Sequence, residues 1–311
     1  MEKFEVHILG CGSALPTTRH FATSQVVNLR DKLFMIDCGE GAQMQLRRSR
    51  LKFSRLNHIF ISHLHGDHCF GILGLISTFG LLGRTAELHI HSPHGLEELF
   101  APMLDFFCKG LAYKVIFHEF ETKEPVLIYE DRSVMVTTIP LKHRIPCCGF
   151  LFEEKQRPNH IIREMVDFYK VPTYELNRIK NGADYVTSEG EVIPNNRLTR
   201  ASAPARKYAY CSDTIYRKKI VDQIQGVDLL FHEATFAQTE QARAKETYHT
   251  TAAQAAQIAL DADVKQLIIG HFSARYEEES VLLNEAVAVF PKTILAKENL
   301  CVNIEGEAYG K

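Results

Sequence analysis

A chain of 311 residues, 45% of them hydrophobic, holds enough material for one large α/β domain or two ordinary ones. Its formal charge of −2 excludes a globally basic surface, so any nucleic-acid partner must be held by local basic patches. There are eight cysteines with no C-x-x-C pair, no run near the roughly 18 apolar residues of a membrane span, and no signal-type start at Met1-Glu2-Lys3-Phe4, so we expect a cytoplasmic protein with reduced thiols.

Phe4 to Leu9 alternates as a strand does and ends in the tight loop Gly10-Cys11-Gly12-Ser13. Neither the Rossmann nor the P-loop pattern follows, which excludes a nucleotide loop. After the polar stretch Leu15 to His20, the segments Val26 to Leu29 and Lys32 to Asp37 read as a strand hairpin, closed by Asp37-Cys38-Gly39-Glu40-Gly41. Ala42 to Ser54 is expected as a helix. With its flank it carries Arg47, Arg48, Arg50, Lys52 and Arg55 and no acid, a pattern that suits a solvated face and an RNA-facing patch equally well.

His58 to Ile61 predicts a buried strand, and it runs into Ser62-His63-Leu64-His65-Gly66-Asp67-His68. Alternation points His63 and His65 the same way, and Gly66 permits a sharp turn. Asp67 and His68 then stand where the apolar segment Cys69 to Leu82 begins a helix. Four ligand-type side chains from one turn do not fit a single tetrahedral ion with an open position. The spacing suggests two ions, each completed from elsewhere. A second group, His89, His91 and His94, has no carboxylate or cysteine at short range and reads as structural. Gly95 to Cys108 is helical in pattern, and Lys114 to Glu119, Val126 to Tyr129, Ser133 to Pro140 and Gly149 to Phe152 are strands. His143, after the third of these, is the natural completion of the His63/His65 pair. β-rich blocks alternating with helices fit an α/β class of two packed sheets with helices outside.

Glu153 to Arg206 changes character, with four prolines, Asn-rich turns, nearly balanced charge and few large apolar residues. It reads as an insertion with one helix at His160 to Tyr169, ordered by side chains such as Phe168, Tyr174 and Tyr185. The strand Lys207 to Cys211 then delivers Ser212-Asp213-Thr214. Asp213 suits a bridging role, since its two oxygens can each take one cation. Val227 to His232 leads to Glu233-Ala234-Thr235. Tyr248-His249-Thr250-Thr251 precedes the helix Ala252 to Leu260, with Thr250 or Thr251 as its cap. Val264 to Gly270 ends in His271-Phe272-Ser273-Ala274-Arg275-Tyr276, and Glu277 to Val289 reads as the last helix. Thus His63, His65, Asp67, His68, His143, Asp213 and His271 all fall at predicted strand ends. A donor set of nitrogen and oxygen favours zinc, with manganese as the alternative.

The His-x-His-x-Asp-His motif resembles the signature of the metallo-β-lactamase superfamily. The opening Leu9 to Pro16, Asp37 to Gly41, Ser212 to Thr214, His232 to Thr235, Tyr248 to Thr251 and Gly270 to Tyr276 are together most similar to the ribonuclease Z family. That resemblance covers nearly the whole chain. It implies an αββα sandwich formed by residues 1–152 and 207–311, with 153–206 as a substrate-binding arm. It implies removal of the 3′ trailer from precursor tRNA, a 3′-hydroxyl left on the tRNA, and a homodimer. It also implies two Zn2+ per subunit, one on His63, His65 and His143, one on Asp67, His68 and His271, bridged by Asp213. Asp67 would handle the nucleophile, His249 oriented by Glu233 would be the acid, and Ser273 and Arg275 would bind phosphate. Two positions depart from the family pattern: Lys170 to Glu175 lacks the arm's Gly-Pro element, and the first loop ends Arg19-His20 in place of Arg-Asn. The alternative is a small-molecule or cyclic-nucleotide phosphodiesterase of the same superfamily, which needs neither arm nor basic patch.

Overall fold

Short runs of branched and aromatic residues pair into two seven-stranded sheets. The computed structural model describes residues 2–305; Met1 and residues 306–311, the end of the expected 207–311 block, lie outside the described residues. The first sheet runs, in spatial order, Cys301–Asn303, Phe4–Gly10, Ser24–Leu29, Lys32–Cys38, Leu56–Phe60, Leu88–Pro93, Val115–Phe120. The second runs Thr293–Leu295, Leu267–Gly270, Leu229–Glu233, Lys207–Cys211, Cys148–Glu154, Val134–Pro140, Leu127–Glu130. Each sheet has a parallel part and an antiparallel part.

The two sheets share one core, in which Phe34, Phe60, Phe150, Phe152, Tyr208 and Tyr210 interdigitate. The outer face of the first sheet is covered by Leu46, Ile72, Leu75, Ile76, Phe79, Leu96 and Phe100 from helices. The second is covered by Ala252, Ala255 and Ala256 and by Leu282 and Ala286 from the helices Ala252–Asp261 and Ser280–Val289. These are the layers of an αββα sandwich. Side chains that follow the C-terminal ends of the parallel strands gather at one edge, where ligands bind in α/β sheets.

Two expected helices are broken, each for a local reason. Ala42 to Ser54 is helical only over Ala42–Arg48. The Ser49 hydroxyl donates to Leu46 O at 2.7 Å, and Arg50 turns left-handed at φ 58°. Arg55 then leaves the group to pair with Asp31 at 3.0 Å. The helix keeps Arg47 and Arg48 alone, so the five basic residues do not form one helix face. The expected Cys69 to Leu82 helix is likewise two, Gly66–Cys69 and Ile72–Leu81. Gly71 N donates to Cys38 O at 2.8 Å, and a Cβ at Gly71 would lie 2.2 Å from Gly39 O. The chain breaks there to lie against the turn after the third strand.

Residues 154–206 form a separate compact unit. It has its own core of Val166, Val171, Ile179, Tyr185, Ile193 and Leu198. Its expected helix, His160 to Tyr169, is shorter: His160–Ile161 pairs with Thr199–Arg200, and only Arg163–Phe168 is helical. Asn195 Nδ2 donates to Ile179 O and Ala183 O at 2.7 and 2.8 Å, tying the turns together. At its base the Arg206 guanidinium grips Glu154 through two bonds of 2.8 and 2.9 Å.

The packing at Gly71 makes a prediction. Gly71→Ala should destabilise the fold by about 1–3 kcal/mol, because backbone must move to admit the methyl group. A thermal melt reads this directly; an unchanged Tm would mean that the contact with Gly39 is not tight in solution.

Candidate metal centre

Two groups of four donor atoms converge at the shared strand edge. His63, His65, His143 and Asp213 form one, and Asp67, His68, Asp213 and His271 the other. In a zinc site with ligand bonds of about 2.0 Å, the tetrahedral angle places nitrogen and oxygen ligands about 3.3 Å apart. Here His63 Nε2 is 3.1 Å and His143 Nε2 3.3 Å from His65 Nδ1. In the second group, His68 Nε2 lies 3.3 Å from Asp67 Oδ2 and 3.5 Å from Asp213 Oδ1. His271 Nε2 lies 3.5 and 3.2 Å from the same two oxygens. Four of these buried atoms, Asp67 Oδ2, His68 Nε2, Asp213 Oδ1 and His271 Nε2, have no hydrogen-bond partner. Buried polar atoms ordinarily find one, so the donor set fits a cation.

The ring tautomers follow from the surrounding bonds. Asp37 is fully buried, and its Oδ2 lies 2.8 Å from His68 Nδ1. A carboxylate only accepts, so His68 carries its proton on Nδ1 and turns the Nε2 lone pair inward. The Ser62 hydroxyl donates to Asp37 Oδ2 at 2.9 Å and so accepts from His63 Nδ1 at 3.0 Å. His143 Nδ1 donates to Tyr248 O at 3.0 Å. Thr235 Oγ1 donates to Glu233 Oε2 and accepts from His271 Nδ1 at 2.9 Å. Four histidines thus point Nε2 inward, while His65 uses Nδ1. Outer partners that fix a ring in this way are characteristic of metal-ligand histidines.

Burial opposes ionisation of Asp67 and Asp213, yet His68 beside Asp67 and His271 beside Asp213 hold both carboxyls well below the usual range. Burial drives His63 toward its neutral form, whereas for His68 burial is outweighed by Asp67, Asp37 and Asp213, which favour a second proton on Nε2 that a bound cation would displace. Both states leave Nε2 facing Asp213.

His249 stands beside these groups. Tyr248 ends the helix Gln241–Thr247 in a left-handed conformation, φ 61°, and turns the next residue toward the edge. His249 Nδ1 lies 3.0 Å from Glu233 Oε1. Burial disfavours its charged form, but the Glu233 carboxylate outweighs it and raises the pKa to about 9. Glu233 is fully buried and also accepts from the backbone N–H of Thr214, Thr235 and Thr250. Thr251 caps the following helix in a capping box with Gln254.

A cavity of about 480 Å³ opens over these residues, lined by Asp67, His143, His249 and His271 among others. Ser273 and Arg275 line it too, with Arg275 held by Glu240 and Ser273 and stacked 5.3 Å from the Phe236 ring. Arg144 and Arg243 share the lining and were not singled out from sequence. Asp37, Ser62 and Thr235 were missed as orienting groups; the only signal was the acid at the hairpin's close. His89 and His91 lie elsewhere, in a ladder with His58 and His118 across three strands. His94 leaves that group and bonds Glu119 at 3.0 Å.

Three comparisons bear on this geometry. A family model described as anti-Pycsar protein Apyc1 matches residues 4–156. The chain is 88% identical over 304 residues to ribonuclease Z of Bacteroides thetaiotaomicron, covering 98% of this chain and 96% of that one. The human tRNase Z short form superposes with a TM-score of 0.70 at 27% identity, over 97% of this chain and 99% of that one. The metallo-β-lactamase fold protein YhfI of Bacillus subtilis, at 16% identity, shares the fold with a TM-score of 0.68 over 97% and 100% of the chains.

If Asp37 orients the His68 ring, Asp37→Asn should lower zinc affinity about 10- to 100-fold while leaving the fold in place. Competition with a chromogenic chelator measures this; unchanged affinity would refute the orienting role.

Proposed function

This chain belongs to the ribonuclease Z family, and from that membership we propose how its own residues carry out the reaction. It is a metal-dependent phosphodiester hydrolase, an endoribonuclease that processes the 3′ end of tRNA. In our reading it removes the trailer of precursor tRNA and leaves a 3′-hydroxyl. The observation that carries the site assignment is the pair of converging quartets.

His63, His65 and His143 would hold one cation and Asp67, His68 and His271 the other, with Asp213 between. Zinc suits these nitrogen and oxygen donors, two ions per subunit, with manganese as the alternative. Bound there, the ions supply Lewis acidity and lower the pKa of water. Asp67, ionised at the floor of the cavity, orients the attacking water or takes its proton. His249 is bound through Nδ1 to Glu233, so its Nε2–H is the proton that goes to the leaving 3′-oxygen. Arg275 and Ser273, joined by Arg144 and Arg243, hold the phosphates from the rim.

We assign residues 153–206 as the substrate-binding arm. Exposed Phe168 and Tyr174 suit stacking on RNA bases. We also assign a homodimer, supported by Leu81, Leu99, Phe106 and Phe107, which stand 86%, 54%, 78% and 69% exposed on helices of the first sheet. The location is assigned as cytoplasmic, since all eight cysteines are free. No helix among the described residues is long and apolar enough to cross a membrane.

Cleavage of a labelled precursor tRNA, with bis(p-nitrophenyl) phosphate in parallel, tests the mechanism. Asp67→Ala should be inactive on both. His249→Ala should lose about 10²–10⁴-fold on tRNA and much less on the nitrophenyl ester, whose leaving group departs without a proton. Equal losses on both would remove the acid role. Glu153 pairs with Lys207 across neighbouring strands, so excising residues 155–205 and closing the gap with a short turn joins ends already side by side. That variant should lose tRNA cleavage and keep esterase activity; retained tRNA cleavage would favour the small-molecule reading. Replacing Phe106 and Phe107 with Glu should halve the mass seen by light scattering, and a mass that does not change places the interface elsewhere.

A further inference from the structure

A third cluster of donors lies outside the two quartets. Cys11 follows the first strand, His20 ends the loop after it, and Glu298 precedes the last strand. Cys11 Sγ is 3.3 Å from His20 Nδ1 and 3.6 Å from Glu298 Oε1, and His20 Nδ1 is 3.3 Å from that same oxygen. Zinc–sulfur bonds of about 2.3 Å and zinc–nitrogen or –oxygen bonds of about 2.0 Å at the tetrahedral angle require separations of about 3.5, 3.5 and 3.3 Å. The three donors therefore already stand at the corners of one face of a zinc tetrahedron.

The remaining features agree. His20 Nε2 lies 3.0 Å from Glu279 Oε1 and Nδ1 lies 3.1 and 3.3 Å from the two Glu298 oxygens, so an ion would displace the Nδ1 proton while Glu279 keeps the one on Nε2. Phe21 N, donating to Glu298 Oε1 at 2.9 Å, fixes that carboxylate. This carboxylate–histidine arrangement is the one found behind metal-ligand histidines. Cys11 is fully buried, and the His20 and Glu298 side chains are 13% and 14% exposed. The backbone under the cluster is fixed, since Ile8 N donates to Leu300 O and Asn299 N to Ile8 O, both at 2.9 Å. Another thiol, Cys301, also lies beside a histidine and an acid, His7 and Glu5. It is exposed, whereas Cys11 is buried.

We infer that Cys11, His20 and Glu298 form a third, sulfur-containing site for a zinc-class divalent cation, with Glu279 as a positioning residue. The ion would tie the loop that carries Ser13, Ala14 and Leu15, which line the cavity. That loop is bonded to the segment just after His271, with Phe272 N donating to Cys11 O and Ser13 N to Phe272 O. The role is structural: it holds one wall of the reaction site.

Cobalt(II) titration of the metal-free, reduced full-length protein tests this, because the two quartets contain no sulfur. The wild type should develop a sulfur-to-cobalt charge-transfer band in the near ultraviolet and take up three equivalents in all. Cys11→Ser and Glu298→Gln should each lose the band and one equivalent. Should Cys11→Ser not fold, Glu298→Gln alone decides. Asp213→Ala, which disables the quartets, should keep the band, so failure of the two-ion reading is distinguishable from failure of this one. Glu279→Gln should weaken cobalt binding at the sulfur site about 10- to 100-fold and leave the band's shape unchanged. A wild type without the band overturns the proposal, as does a band that survives Cys11→Ser or disappears in Cys301→Ser.

Discussion

The carboxylate of Asp37 is the point on which the site rests. It is fully buried and accepts from Ser62 N at 2.7 Å, from Ser62 Oγ at 2.9 Å, from Tyr210 OH at 2.7 Å and from His68 Nδ1. An ionised group in that position without partners would cost several kcal/mol. With four donors it becomes an anchor. Tyr210 comes from the second sheet and Ser62 from the first, so this one side chain joins the two layers beside the metal motif. Its backbone is left-handed, φ 53°, a conformation that a non-glycine residue keeps only where its surroundings demand it. Because its partners fix the protons of His68 and, through Ser62, of His63, the ligand directions are set by bonds that never touch the cation.

Glu233 repeats the device on the other side. Its two oxygens accept from three backbone N–H groups, the Thr235 hydroxyl and His249. Thr235 passes the constraint to His271, so the proposed acid and one proposed ligand are oriented by the same carboxylate. The two hubs differ in what they do to their histidines. Asp37 is one of three acids around His68, whose Nε2 is turned onto Asp67 and Asp213. Glu233 alone pairs with His249, leaving Nε2 at the cavity, where a proton is of use.

Much of this was legible in the chain. Each proposed ligand stands just after a short apolar run, and Ser62, Ser212 and Gly270 mark three of those ends. The tautomers were not legible, because they depend on Tyr210, Thr235 and Tyr248, which no local pattern marks as neighbours. The helix breaks at Arg50 and Gly71 were missed for a related reason. Gly71 looks tolerable inside an apolar helix, and only its contact with the backbone of Gly39 forbids continuation. Arg243 was invisible because its helix, Gln241–Thr247, has no apolar stripe to mark it. The Arg19-His20 departure acquires a partner only when Cys11 and Glu298 are seen beside it.

Charge explains why the edge requires cations at all. Asp37 is satisfied by donors and Glu233 by donors and an imidazolium. Asp67 and Asp213 each keep a buried oxygen without a partner. A phosphodiester brought to within about 4 Å of such a carboxylate meets a repulsion of order 4 kcal/mol at an effective dielectric of 20. His68 and His271 offset part of that charge, and cations that offset the rest would favour substrate approach, so that binding of cation and of substrate would be thermodynamically linked. Arg144, Arg243 and Arg275 line the same cavity, and in the proposed reading they would attract phosphate without pairing with those carboxylates. In that reading a chain of net charge −2 would take a polyanion through the cations and arginines gathered at one cavity.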